Sequence, residues 1–103
     1  MTKFLFSLLT AAAIAAPAAA QSDIETRVVA VADLDLASDA GKLTLDQRLT
    51  RAVIEVCGSA SDVDLAGKND VRACRETTLA AARSAGEQRI AARSDDAIRI
   101  AAR

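Results

Sequence analysis

Beyond residue 20 the chain contains no Phe, Trp or Tyr, and no Pro, Met or His. Phe4, Phe6, Pro17 and Met1 all fall before that point, so a core in the remainder has to be built from Leu, Ile, Val and Ala. The segment Gln21 to Arg103 is 83 residues long, near the size at which one hydrophobic core leaves only a few kcal/mol of net stability. An extra constraint is expected, and Cys57 and Cys74 are the candidates. In an oxidising compartment, an even pair in a small exported domain is most simply a disulfide. Counted inclusively, the two close a loop of 18 residues, for which chain entropy gives about 3 kcal/mol. A redox-active pair would usually be spaced Cys-x-x-Cys, and a zinc site would want four ligands, typically Cys and His.

The first 20 residues read as a signal peptide. Lys3 supplies a positive charge, and Phe4 to Ile14 is an apolar run interrupted only by Ser7, Thr10 and small residues. Ala18 and Ala20 then stand at the small-residue positions of a cleavage site before Gln21. An apolar run of about eleven residues falls short of the ~20 that a bilayer span needs. With no Cys near the cut there is no site for lipid attachment, and no transmembrane segment is expected after cleavage at Ala20–Gln21. The organisation expected is therefore a signal peptide over 1–20, a domain over 21–86 and an Arg/Ala-rich tail over 87–103.

Within the domain, Thr26 to Val31 is a β-branched stretch that predicts one strand. Asp33-Leu34-Asp35-Leu36 either extends it or turns the chain. Ser38 is placed to cap a helix, with Asp39 in its first turn. Leu45, Leu49, Ala52, Val53 and Val56 then recur as one helical face. Gly41 weakens the first turn, so the firm helix is expected over about Leu43 to Cys57, with Gly58 ending it. Ser59 to Asn69 reads as a loop with one helical turn around Val63 to Ala66. Asn69 or Asp70 would cap a second helix whose stripe is Val71, Cys74, Thr78, Ala81, Ala82 and Ala85. After Gly86 the pattern changes: Arg89-Ile-Ala-Ala-Arg93 recurs as Arg99-Ile-Ala-Ala-Arg103. Both are made of strong helix formers, so a helical tail is expected there. The fold class predicted is mainly α with one short β-strand, in β-α-α order, around a helical hairpin linked by one disulfide.

Together, the signal peptide, the Val-rich strand, Asp33-Leu34-Asp35-Leu36, the basic helix ending Val56-Cys57-Gly58, Asp64-Leu65, Val71-Arg72 and Cys74-Arg75 resemble the UrcA family of small exported alphaproteobacterial proteins. The resemblance covers Arg27 to Ala85. It departs at Ala32, where that family often has Tyr before the Asp-Leu pair, and it does not reach the tail. It implies export and a bridge between Cys57 and Cys74, and it implies no biochemical activity.

Several chemistries lack their residues. A Ser or Cys nucleophile usually needs a base such as His, and there is none. Carboxylates remain, but a carboxylic general acid needs a shaped pocket to raise its pKa. An aromatic-free chain of this size has little material for such a pocket. No enzyme activity and no cofactor are expected. Hard cations are a second reading, because Asp33, Asp35 and Asp39 could offer oxygens, as could the aspartates at 62–70. Counted as a calcium loop from Asp33, however, the fifth, sixth and twelfth places are Ala37, Ser38 and Thr44. Counted from Asp62, Asp64 and Gly67 fit, but Ala66 and Ala73 hold the fifth and twelfth places. Neither loop has the bidentate Glu.

Charge is uneven. Gln21 to Asp70 carries five basic residues against ten acidic ones, a net of −5, whereas Val71 to Arg103 carries seven Arg against four acids, a net of +3. The arginines are expected to pair with acids on their own helix and in the acidic half. The overall acidity argues against nucleic acid as a partner. Two functions are carried forward: a non-catalytic exported protein acting by interaction, including self-association through an open strand edge, and a divalent-cation-binding protein.

Overall fold

The computed structural model describes residues 25–102, which form two strands and two helices in the order β1 (Thr26–Val29), α1 (Asp39–Cys57), α2 (Leu65–Ala92) and β2 (Ile98–Ala101). The signal-peptide residues and the Ala20–Gln21 cleavage site lie outside that range. The fold is mainly helical with a short antiparallel strand pair, and a disulfide links the helices.

The two helices pack on each other as a hairpin, and the strand pair packs on them with β2 touching both helices and β1 touching α1 alone. The expected face of α1 is the one that is buried: Leu45, Leu49, Ala52, Val53 and Val56. Together with Val29, Val31, Ala82, Ile98 and Ile100 they form the core. With no aromatic in it, the core is thin. On α2 only Ala82 and Gly86 are buried, and Gly86 lies against the methyls of Leu45 and Leu49.

Local chemistry sets the ends of α1. Val31 and Asp35 each accept a turn-closing bond, from the amides of Leu34 and Ser38, so the Asp-Leu repeat turns the chain. Ser38 Oγ accepts from the Gly41 amide at 3.0 Å and donates to the Asp35 carbonyl at 2.9 Å. The carbonyl of Asp35 thus sits against the first turn where a side chain at Gly41 would stand. The helix consequently starts at Asp39 behind the Ser38 cap, as the sequence indicates, and its first turn is formed in spite of Gly41, where a firm helix is expected only from about Leu43. At its other end Gly58 adopts φ 68°, a backbone conformation that glycine reaches without steric cost, and its N–H bonds to the Ile54 carbonyl.

The second helix begins five or six residues earlier than a cap at Asn69 or Asp70 would place it. Asp64 is the cap, accepting from the Gly67 amide at 2.9 Å. The single turn expected around Val63 to Ala66 is the start of α2, because no Pro or second cap interrupts it. The helix also continues through Gly86, where close approach to α1 offsets the ~1 kcal/mol penalty of glycine in a helix. It ends at Arg93, left-handed at φ 50°, ψ 37°. There the Arg93 and Ser94 amides bond back to the Ile90 and Arg89 carbonyls, the pairing of a Schellman terminus.

The tail is where the structure corrects the sequence reading. Residues after Arg93 do not continue as helix. Arg89 reaches the carbonyls of Asp96 and Ala97 at 3.1 and 3.4 Å, and the chain turns back into β2. That strand pairs with β1 in the register Thr26 with Ala101, Arg27 with Ile100, Val28 with Arg99 and Val29 with Ile98. Ile98 and Ile100 point inward and Arg99 and Ala101 outward. Two inward isoleucines gain more by covering the hairpin than the Ala/Arg helical propensity is worth. The predicted lone strand is therefore the first of a pair, and it ends at Val29.

Candidate functional site

Cys57 is the last residue of α1 and Cys74 lies in the third turn of α2, so the bridge joins the hairpin near its connection. The sulfurs are bonded at 2.05 Å with the Cα atoms 5.8 Å apart. Thr78 Oγ1 stands 3.8 Å from both sulfurs, and Arg75 donates to the Gly58 carbonyl at 2.9 Å. Among the described residues there is no free cysteine. The bridge is thus a structural clamp on the turn between the helices.

The aspartates do not converge. Arg48 grips both oxygens of Asp33, each at 2.7 Å, and also donates to the Ala30 carbonyl at 3.0 Å. That pairing holds the Asp33 carboxyl below its ordinary range, through the hydrogen bonds first and the charge of Arg48 after desolvation is offset. Asp35 accepts from the Ala37 amide at 3.1 Å, and Asp39 sits in the first turn of α1. Asp64 caps α2, while Asp62 pairs with Lys68 at 3.1 Å. Among the described residues no group of three or more His, Cys, Asp or Glu side chains is disposed to hold a metal ion. The cation reading of residues 33–39 is corrected on this point: Asp33, its first ligand, is already occupied by a guanidinium.

Other ion pairs knit elements together. Arg83 of α2 holds Asp46 of α1 at 2.8 and 3.1 Å and keeps that carboxyl below its usual range, chiefly by hydrogen bonding. Arg27 of β1 bonds Glu55 of α1 at 2.9 Å and Glu25 at 3.0 Å. The expected pairing of C-terminal arginines with the acidic N-terminal half holds for Arg83, whereas Arg27 and Arg48 are paired within that half.

The two open edges of the sheet differ. The free edge of β1 faces α1 across a cleft lined by Arg27, Arg48, Arg51 and Glu55. The free edge of β2 faces α2 across a wider groove of about 710 Å³, walled by Ala73, Thr77, Ala81 and Ala85 and bounded by Asp70 and Arg99. Sequence reasoning missed this groove because it required β2, and the one available signal was the alternation Ile98-Arg99-Ile100. Among the described residues no helix is long and apolar enough to cross a membrane. No protein-family model, curated protein or solved structure matches the chain.

Proposed function

We propose that this is a small exported protein, periplasmic or secreted, of the UrcA type, and that it acts by interaction and not by catalysis. The observation that carries the reading is the Cys57–Cys74 disulfide. Such bonds persist in oxidising compartments and are rare in the cytosol. The pattern before Gln21 supports export, and the bridge supplies the constraint that an aromatic-free core needs. Support for a non-catalytic role comes from the carboxylates that, among the described residues, are committed to a helix cap (Asp64) or to inter-element ion pairs (Asp33, Asp46, Glu55).

Native mass spectrometry of the protein recovered from the cell envelope tests each part. The expected mass begins at Gln21, lies two hydrogens below the reduced value, and travels partly with a second polypeptide. A mass that retains residues 1–20, or thiols that react with iodoacetamide without prior reduction, would overturn export. A lone chain under every gentle extraction would overturn the interaction role.

A further inference from the structure

Natural sheets protect exposed strand edges, because a row of unpaired N–H and C=O groups recruits another strand. In this protein one edge is protected and the other is not. Arginines and Glu55 crowd the free edge of β1, and Arg48 already occupies the Ala30 carbonyl. The free edge of β2 opens instead on a groove floored by Ala73, Thr77 and Ala81 of α2. The reason is geometric: α1 contacts both strands whereas α2 contacts only β2. The sheet therefore stops one strand short of covering the hairpin. Neighbouring strands lie about 4.8 Å apart, so the vacant position beside β2 lies over those small side chains.

Resting on the interaction reading above, we propose that this groove receives one extended segment of another polypeptide, which adds to β2 as a third strand. Backbone bonding supplies the attachment in this mode, and alternate side chains supply the selectivity. Parity follows from β2: inward residues of the guest meet Ala73, Thr77 and Ala81, so they are small or β-branched and apolar. Outward residues lie beside Arg99, which makes no ion pair among the described residues. An acidic residue directly across from it is favoured, so the guest carries one acid at that outward position, while Asp70, which also bounds the groove, disfavours further acids. A second copy of this chain is a poor occupant. A two-fold axis that pairs β2 with another β2 keeps both hairpins on one side of the sheet. Each α2 would then lie beneath the other copy's β2, and a helix about 10 Å wide does not fit twice in that space.

The test uses the native disulfide-bonded protein, labelled with ¹⁵N, and the capped peptide Val-Glu-Val-Thr-Val. Saturable amide shifts are expected at 98–102 and along 73–81, with at least ~10-fold weaker binding, about 1.4 kcal/mol, when Lys replaces Glu in the peptide. T77R and A81K place a charge in the groove at exposed helix positions, so both should fold normally by circular dichroism and abolish the shifts. The proposal is overturned if no saturable shift appears at millimolar peptide, if shifts map to the β1 edge, or if both variants bind as wild type. Concentration-dependent shifts of the same amides without peptide would also overturn it, by assigning the groove to a second copy. Failure here leaves a co-purifying polypeptide to be explained by another surface, whereas a chain that always travels alone removes the interaction reading itself.

Discussion

Replacing Cys57 and Cys74 together by alanine removes the one covalent tie between the helices. The bridge spans 17 positions, taking in the turn after α1 and the first residues of α2. In the chain-entropy model a loop of that length restricts the unfolded state by about 3 kcal/mol. Both sulfurs are half-buried beside Thr78, so lost packing acts in the same direction. Domains of this size have total stabilities of roughly 4–12 kcal/mol, which makes the bridge a large share. Each kcal/mol moves Tm by about 4–8 °C in a 60–100-residue domain, so the variant should melt ~12–24 °C lower. The assay is circular dichroism at 222 nm, since the region beyond residue 20 has no Trp or Tyr to follow. Wild type melted in a phosphine reductant should match the double variant. A fall below about 5 °C in both experiments would refute the argument, by showing that the unfolded chain already holds this loop compact.

Three further outcomes are expected. Leu49→Ala, at a site 2% exposed, should cost about 3 kcal/mol by transfer and cavity terms, while Val63→Ser, at 93% exposed, should change stability by less than ~0.5 kcal/mol; equal denaturant midpoints would contradict the placement of the core. Gly41→Ala should destabilise by about 2 kcal/mol although alanine favours helix by ~1 kcal/mol, because the Asp35 carbonyl occupies the place of the new methyl; a raised Tm would contradict that contact. Asp33 and Asp46 have folded-state pKa values lowered by Arg48 and Arg83, so their contribution is present above the unfolded carboxylate range and is lost as pH falls below about 4; Tm should drop there less steeply in D33N/D46N, and an unchanged acid slope would count against both pairs.

Much of this architecture is legible in the residues themselves. Ser38 and Asp39 before a 3.6-residue apolar stripe specify α1, and its buried face is the one the spacing marks. Gly58 after Cys57 specifies where it ends. These signals are local: a cap bonds within three residues, and a helical face depends only on period. The bridge is legible for another reason, since two cysteines and no competing ligand leave few outcomes. The functional surface is less accessible. No property of Asp33 alone shows that Arg48, fifteen positions on, takes both its oxygens. Nor can Ala73, Thr77 and Ala81 be read as a groove floor until β2 is placed beside them.

The repeated pentapeptide separates the two kinds of information most sharply. Arg89-Ile90-Ala91-Ala92 is helical and Arg99-Ile100-Ala101 is a strand, although the residues are the same. Propensity favours helix in both copies, and in the first copy nothing opposes it, because the segment continues a helix already nucleated. The second copy follows a Schellman reversal and is preceded by Ile98, which completes an inward–outward alternation facing a hairpin with an uncovered side. Burying Ile98 and Ile100 there, to 2% and 3% exposure, is worth about 1.5–3 kcal/mol each, more than the few tenths per residue separating helix from strand preference. The sequence by itself therefore determined the caps of α1, its apolar face and the constraint at Cys57 and Cys74, whereas the cap of α2 fell at Asp64 and not at Asn69 or Asp70. The conformation of the last strand, and with it the open edge beside α2, was decided only by tertiary structure, because burial on a distant surface outweighs local preference.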